Sequence, residues 1–492
     1  MSRILGLPEL RDLTHGRKMA RTNVQFTEWL PDQPGLIGAL IEAKNIYPKA
    51  VGYGPFPEAT DISAAASQDL NNAVAAKDTS TTKIFAGGST KLFLLDSTDL
   101  SLDDVSATTY TTTTNWRFTQ FGSYLIAANG HEPLQYYEMG ASTTFANLDA
   151  AAPTAKFITV VRDFVVAGNT GTSSSEVVWS GINNPNTWSS SAVTQSDSQD
   201  TPDGGEVRGI TGGEFGLVLL ERSIQRMSYV GTPLVFQFDN ISRNLGCYES
   251  QSVIQWQGIT YFLSDDGFYA CNGEQVVGIG AEKVDRFFFS TLNESLLSTM
   301  SAAVDPIKNL IVWGYPSNDE SYYLLMYHLP TKRWSYAETT VDRVASFSTP
   351  GVTLEGLDTY NASIDALGIS LDSRQWIGGK MVFGGVKGAK IVSFTGDPQA
   401  ASIVTNEIHS DNNATMVTLA KPIVDGGSAS VAVASRFLLS DNPTFTTDVA
   451  ADSDNRVGIR SVGRYHRFRV TPSGSWETAI GLDVDIQPAG TR

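Results

Sequence analysis

The chain has 492 residues, a hydrophobic fraction of 41% and a formal net charge of −17 at pH 7. Its length predicts two or three domains with a substantial core. No apolar run approaches the ~20 residues of a membrane-spanning helix, so we expect a soluble protein. The excess of carboxylates disfavours tight nucleic-acid binding, because such binding depends on Lys and Arg replacing the counterions of phosphates.

Residues 1–60 are punctuated by prolines, among them Pro31, Pro34 and Pro48. Proline lacks a backbone donor and interrupts helices and central strands, so we expect an irregular N-terminal arm. This arm either docks on a neighbouring subunit or partner, or wraps around its own domain. Its basic start lacks the apolar stretch of a secretory signal. Met19 offers an alternative start, which would make residues 1–18 a dispensable extension.

Along residues 61–395, a turn residue followed by an apolar strand recurs. The equivalent positions are Leu92, Tyr124, Phe164, Leu217, Thr260 and Leu310. A repeat of roughly 40–50 residues, built entirely from short strands, is typical of propeller blades. We therefore predict a β-propeller of six or seven blades. Similar phrases beginning at Lys83 and Lys380 predict that the first and last blades meet.

Residues 396–492 contain separate strands with period-two alternation, divided by turns at Asp425, Asp441 and Pro472. This pattern predicts a small C-terminal β-sandwich and completes an all-β fold. One strand places two sets of side chains on opposite faces: His466, Phe468 and Val470 against Tyr465, Arg467 and Arg469. The second set forms either a basic stripe or an ordinary solvated strand face.

Residues that could support catalysis or metal binding are sparse. The five histidines are His15, His131, His328, His409 and His466, and none has the spacing of a ligand pair. Cys247 and Cys271 are expected to be free thiols in a reducing cytosol, with one disulfide across neighbouring strands as the alternative. We identify no catalytic, cofactor-binding or metal-binding residues, and we expect neither an enzyme nor a cofactor requirement.

The most distinctive stretch is residues 178–246. It contains W-S-G-I-N-N-P-N-T-W from Trp179, then G-G-E-V-R-G-I, then E-R-S-I-Q-R-M-S-Y-V-G-T-P from Glu221. Further phrases are L-P-D-Q-P-G-L from Leu30, E-A-K-N-I-Y-P from Glu42 and G-R-Y-H-R-F-R-V from Gly463. Together they resemble the tail nozzle proteins of short-tailed bacteriophages, also called packaged-DNA-stabilisation or tail tubular proteins.

Two groups of residues carry this resemblance. The signature residues are Trp179, Gly181, Asn183, Pro185, Trp188, Gly204, Gly205, Gly212, Gly213, Glu221, Arg222, Arg226 and Gly231. The candidate arm-docking residues are Leu30, Pro31, Pro34, Gly35, Tyr47 and Pro48. The spacing of Arg222 and Arg226 predicts one shared strand face. From that face they either line a pore and touch phosphates, or clamp carbonyls or carboxylates of the adjacent blade.

The resemblance implies a structural virion protein, assembled in the host bacterial cytoplasm and located in the tail. Six copies would form a ring below the portal and its adaptor. The ring would retain packaged double-stranded DNA and pass it at ejection without sequence-specific binding. Tail fibres or spikes would attach outside. Two alternatives stay open: a virion-attached or extracellular glycan-processing propeller enzyme, and an interaction scaffold with no channel role.

Overall fold

A computed structural model describes residues 20–36, 38–78, 82–348, 363, 381–409 and 413–490 of the chain. Within these residues the protein is all-β, and many of its strands form four-stranded sheets consistent with a β-propeller. The described residues contain one short α-helix, α1 (Asp285–Thr291), together with 3-10 turns at Pro202–Gly204, Ser250–Ser252 and Glu294–Thr299. The possible extension at residues 1–18 and His15 lie outside the described residues.

The strands follow one another closely along the chain. The N-terminal strands are β1 (Ala20–Gln25), β2 (Leu40–Lys44), β3 (Ile46–Pro48), β4 (Tyr53–Pro55) and β5 (Thr60–Asp61). The next two sheets are β6 (Leu70–Lys77), β7 (Thr82–Gly88), β8 (Leu92–Leu95) and β9 (Leu102–Asp104), then β10 (Arg117–Phe121), β11 (Tyr124–Ala128), β12 (Gln135–Glu138) and β13 (Ala146–Asn147).

Two sheets include the signature segment: β14 (Ala155–Val161), β15 (Phe164–Thr170), β16 (Glu176–Trp179) and β17 (Asp197–Asp200), then β18 (Val207–Thr211), β19 (Gly216–Leu220), β20 (Ile224–Gly231) and β21 (Val235–Ser242). The following sheet is β22 (Ile254–Trp256), β23 (Ile259–Leu263), β24 (Phe268–Cys271) and β25 (Val276–Gly278).

After α1 come two further groups of strands: β26 (Ser301–Asp305), β27 (Leu310–Pro316), β28 (Tyr322–His328) and β29 (Arg333–Thr339), then β30 (Arg343–Ser348), β31 (Met381–Lys387) and β32 (Lys390–Ser393). The C-terminal strands are β33 (Ser402–Thr405), β34 (Ile408–His409), β35 (Ala414–Asp425), β36 (Ser428–Arg436), β37 (Val449–Ala450), β38 (Val457–Gly463), β39 (Tyr465–Ser473) and β40 (Thr478–Gly490).

Burial differs strongly between the second and fourth strands of several of these sheets. Every residue of the second strands β15, β19 and β27 is buried, whereas the fourth strands β13 and β17 are fully exposed. A strand that is buried on both faces needs a continuous apolar run. This explains the sequences F-V-V-A-G in β15 and G-L-V-L-L in β19. Five of the six predicted repeat positions lie in second strands. The exception is Leu92, which begins the third strand β8. Second and third strands both follow a turn and are both apolar, so the sequence pattern does not distinguish them.

Each sheet shares a buried apolar cluster with the next one along the chain. Trp188 of the β16–β17 connection, for example, packs with Ile126 and Ala128 of β11. The last of these sheets also contacts the first: Ile84 and Ala86 of β7 share a cluster with residues of β30, β31 and β32. The phrase that begins at Lys83 and the described part of the phrase from Lys380, which starts at Met381, therefore lie in adjacent sheets, as the sequence predicts.

The N-terminal part is not irregular within its described residues, which corrects the expectation drawn from its prolines. β5 pairs with β32 and completes a four-stranded sheet with β30 and β31. β2 lies between β29 and β33, while β1 and β4 pair with β40. Pro48 and Pro55 sit at the ends of β3 and β4. Proline has no backbone N–H, but at the end of a strand this loss removes few of the hydrogen bonds between strands.

The C-terminal strands join two sheets. The first sheet has the strand order β3–β4–β40–β35–β38, and β1 also pairs with β40. The second sheet continues from β26–β29 through β2 to β33, β39, β36 and β37. The predicted alternation of β39 is confirmed, because His466, Phe468 and Val470 are buried. On the opposite face, Arg467 is paired with Glu407 at 3.5 Å and Arg469 with Asp448 at 3.0 Å.

Gly212 lies against the end of β14 in the neighbouring sheet, and its replacement is the first prediction. A Cβ there would lie 1.9 Å from the Val160 carbonyl oxygen. Gly212→Ala therefore overpacks the contact, at a cost of about 1–3 kcal/mol. We expect a lower Tm for the full chain in differential scanning fluorimetry. The control is Gly458→Ala, a strand position with nothing within 4 Å of its Cβ. Equal Tm values for both variants would contradict this assignment.

Candidate functional site

The two signature tryptophans are buried structural residues. Trp179, at the end of β16, donates its indole N–H to the Gln195 carbonyl at 2.9 Å and meets Phe236 edge to face at 5.2 Å. Trp188 donates to the Pro185 carbonyl at 2.7 Å. Both rings therefore bind their own loop and the adjacent sheet, and neither presents a free stacking surface.

The chain between these tryptophans forms a tight turn. Asn183 has a φ of 53°, in the left-handed region that asparagine tolerates better than most residues. Its backbone N–H donates to the Asp163 carbonyl at 2.8 Å, and the Gly181 N–H donates to the Thr187 carbonyl at 2.7 Å. The W-S-G-I-N-N-P phrase thus encodes a loop held against the turn between β14 and β15.

Most signature glycines occupy places that a side chain would disturb. Gly205 has a φ of 84° and lies under the Glu221 side chain, while Gly204 faces Ser223. Gly213 has a φ of 128°, and its carbonyl accepts a 2.8 Å hydrogen bond from the Arg162 N–H. Gly231 has a φ of 80° at the tip of the β20–β21 hairpin. These glycines set loop shape and the distance between sheets.

Arg222 and Arg226 do not share a strand face, contrary to the prediction. β19 ends at Leu220 and β20 begins at Ile224, so Arg222 lies in the exposed turn between them. Arg226 lies within β20. Its guanidinium stacks 4.3 Å from the Phe215 ring and donates at 3.5 Å to the Gly273 carbonyl of the next sheet.

Glu221 and Arg222 line a cavity of about 470 Å³ together with Arg208 and Glu249. The backbone of Glu221 is held in place, since its N–H donates to the Glu206 carbonyl at 3.0 Å. A Cβ on Gly246 would lie 2.4 Å from the carbonyl oxygen of this same residue. The lining carries charges of both signs, so the cavity has no clear electrostatic preference.

Residues 246–252, which we call the central segment, connect β21 to β22 and join several sheets. Their N–H groups donate to the carbonyls of Leu220 in β19 and Leu263 in β23, at 2.9 and 2.8 Å. Their carbonyls accept from the Arg117 guanidinium in β10 and the Trp313 indole in β27, at 2.8 and 2.9 Å. Four sheets are therefore tied to one short piece of chain.

The N-terminal arm is anchored on α1 of the same chain. The Asp32 carboxylate accepts from the backbone N–H groups of Arg286 and Phe287, each at 2.9 Å. These are unsatisfied donors at the start of a helix, which a carboxylate caps well. Lys283 adds a 2.6 Å ion pair with Glu28. The arm was expected either to dock on a neighbouring molecule or to wrap around its own domain. The contacts with α1 are of the second kind.

The candidate arm-docking residues differ in exposure. Leu30 and Pro48 are buried, Pro31 and Tyr47 are partly exposed, and Pro34 and Gly35 are exposed. Asp32 belongs to the L-P-D-Q-P-G-L phrase but was not among the predicted residues. The capping residue lies 254 positions from Arg286, whose N–H it accepts. No local sequence pattern links residues so far apart, so the sequence could not predict this cap.

Asp285, in the first turn of α1, is the most strongly perturbed acid near the arm. Burial raises its pKa to about 7, and the charges of Asp32 and Asp266 add to the rise. A 3.2 Å hydrogen bond from the Phe268 N–H acts in the opposite direction. A protonated carboxyl at this position still accepts that bond while avoiding the cost of a buried charge.

The remaining residues with reactive side chains are in structural settings. Cys247 and Cys271 are free and buried, and burial raises the pKa of both thiols. His466 lies between the hydroxyls of Thr415 and Ser435, at 2.8 and 2.7 Å, and its pKa is lowered by burial. The described residues contain no cluster of three or more His, Cys, Asp or Glu side chains arranged to hold a metal ion. No helix in this part of the chain has the length and apolarity to span a membrane.

Comparison with known proteins gives little further information. No protein-family model matches the chain, and no curated protein matches it. One similar solved structure is a chain of the "Crystal Structure of Mitotic Checkpoint Complex". The matched chain is 11% identical, and the match covers 70% of this chain and 94% of that one at a TM-score of 0.40. We draw no conclusion from this likeness.

Asp32 provides the second prediction. Asp32→Ala removes both capping hydrogen bonds to α1 and is expected to cost about 1 kcal/mol locally. Hydrogen–deuterium exchange should become faster in residues 28–36 and 285–291 and stay unchanged in the distant β6–β9 sheet. Asp397→Ala, at an exposed position, is the control. Unchanged exchange around α1 in Asp32→Ala would mean that the cap does not hold the arm.

Asp285 provides the third prediction, a pH dependence. Its unfolded pKa is ~3.9, and the folded value is about 7. Between these values the folded state retains a proton that the unfolded state has lost. The resulting stabilisation is therefore largest near the lower pH and is lost as the pH rises towards 7.

Asp285→Asn removes this titration. The Tm of the wild type minus that of the variant should fall by a few degrees between pH 5 and pH 8 at constant ionic strength. The same difference for Asp397→Asn should not change with pH. A pH-independent difference for Asp285→Asn would show that this carboxyl keeps an ordinary pKa.

Proposed function

We propose that this protein is a tail nozzle protein of a short-tailed bacteriophage virion. Six copies form a ring below the portal and adaptor, and the ring retains the packaged DNA and provides the channel for its ejection. The observation that carries the proposal is the resemblance of the phrases in residues 178–246, together with those from Leu30, Glu42 and Gly463. The protein is structural, needs no cofactor, and carries fibres or spikes on the outside of the ring.

The placement of the signature residues supports a structural role. Trp179 and Trp188 fix a loop between sheets, Gly212 allows two sheets to approach, and Arg226 reaches the next sheet. A catalytic motif would instead be expected to gather polar side chains at one cavity. Residues that preserve the shape of a rigid subunit are what a ring under internal DNA pressure requires.

The proposal includes a finer account of the fold. We propose that the sheets from β6 to β32 are seven blades of one closed propeller, with β5 as the last strand of the seventh blade. Support comes from the apolar clusters shared by successive sheets and by the last and first sheets. We also propose that the two C-terminal sheets face each other as a β-sandwich. They share one apolar cluster that includes Val431, Phe468 and Leu482.

The charge distribution fits a conduit. Residues 51–210 contain seventeen Asp and Glu against seven Lys and Arg. Exposed outer strands carry several of these acids, including Asp103 in β9 and Asp197 and Asp200 in β17. A wall of this kind repels the phosphate backbone, so DNA slides past without being held.

Assembly on the portal provides the fourth prediction. Light scattering should give about six times the chain mass of 53.0 kDa, either for the protein alone or after it is added to a portal–adaptor complex. A portal lacking its adaptor is the matched control and should recruit no ring. A protein that stays monomeric and ignores the complex would contradict the proposal. If that monomer hydrolysed glycans, the result would favour the glycan-processing enzyme. If it did not, the result would favour the interaction scaffold.

A further inference from the structure

A small cavity next to the central segment has an unusual electrostatic character for this acidic protein. Its volume is about 280 Å³, and it lies between the sheets β10–β13 and β14–β17. The lining residues are Arg117, Lys156, Phe157, Asn115, His131 and Ser250, with neighbouring Thr, Asn, Gly and Gln residues. This lining includes two cationic side chains and no carboxylate among the described residues.

Arg117 is the cation at the inner end of the cavity. Its guanidinium donates to the Ser250 carbonyl at 2.8 Å and lies 5.8 Å from the centre of the Phe157 ring. Its Nε is buried and makes no hydrogen bond to the described residues. Burial lowers the pKa of this guanidinium to about 10. No carboxylate of the described residues lies within 4 Å, although enclosed cations in proteins are normally paired.

The nearest acid, Glu249, does not supply the missing partner. Its Oε1 accepts from the Gln251 N–H at 2.9 Å and from the Ser250 hydroxyl at 3.1 Å, which caps the 3-10 turn of the central segment. It lines the neighbouring cavity with Glu221 and Arg222. Glu249 therefore belongs to the neighbouring cavity. The other nearby acid, Glu132, accepts hydrogen bonds from the Thr111 N–H and the side chain of the cavity-lining Asn129.

Two other cations strengthen the positive potential. Lys156 is exposed at the mouth, and its aliphatic stem packs on Gly130, where a Cβ would lie 2.9 Å from the Lys156 Cγ. Arg343 in β30 donates to the Asn115 side-chain oxygen, and burial lowers its pKa. Its charge therefore lies next to a residue that lines the cavity. Two cations thus line this small volume, and a third, from another sheet, contacts one of the lining residues.

We propose that this cavity binds a small oxyanion of the phosphate class. A guanidinium offers fixed N–H donors that suit a tetrahedral oxyanion, while Lys156 contributes a point charge at the mouth. The volume admits one phosphate group and a few waters, but not a duplex. A bound anion would neutralise the centre where four sheets meet and so tighten it. This inference is independent of the proposed nozzle role.

The test is a titration of the full-length protein with inorganic phosphate, replacing chloride at constant pH and ionic strength. Isothermal titration calorimetry should show saturable binding, with a matching rise in Tm. Lys156→Gln should weaken the affinity about 3- to 10-fold, and Arg117→Gln about 10-fold or more. Lys77→Gln is the matched control, an exposed lysine on β6 that should bind phosphate as the wild type does.

The exposed position of Lys156 keeps the test valid even if Arg117→Gln does not fold. Absence of saturable binding to the wild type would overturn the proposal. Equal affinity of the wild type and Lys156→Gln would overturn the assignment to this cavity. A short DNA duplex is the second titrant. Displacement of phosphate by the duplex from the wild type would identify a backbone phosphate as the occupant and overturn the small-anion assignment.

Discussion

The fold depends on covering both faces of each four-stranded sheet. Second strands such as β15, β19 and β27 are buried along their whole length, so an isolated sheet would expose an apolar face on either side. A linear stack leaves two end faces bare. Contact between the last and first sheets removes both of them, through the cluster that joins β7 to β30–β32. This contact therefore completes the burial that the apolar strands of the first and last sheets need.

Two glycines show how closely the backbone segments of this fold pack. Gly212 and Gly246 allow backbone approaches that any side chain would prevent, and the central segment after Gly246 joins four sheets. The same arrangement has an electrostatic consequence. Drawing Arg117 inward to bind the central segment encloses a cation in a protein whose net charge is negative. The acids of the exposed strands and the cations of this cavity thus lie in different parts of the protein.

Sequence patterns predicted the parts of the fold that local chemistry determines. Apolar second strands stand out because both faces are buried, and β39 could be assigned correctly because period-two alternation separates Phe468 from Arg467. The strands β1, β2 and β5 could not be predicted, because their partners lie hundreds of residues away, and prolines mark the ends of the short hairpin β3–β4. Arg222 was misplaced since a short turn interrupts an apparently continuous run. The role of Arg117 could not be predicted from the sequence, because only the folded structure shows that this arginine lines a cavity.

The pairing of the first strands with the last ones also limits when the protein can become complete. β5 needs β32, β2 needs β33, and β1 needs β40, the final strand of the described chain. A ribosome adds roughly 5–20 residues per second, so these early strands wait at least ~15 s for their partners. During that time their edges are unpaired and open to other chains. Synthesis of β40, and not the emergence of each sheet, therefore determines when the pairing of β1 can be completed.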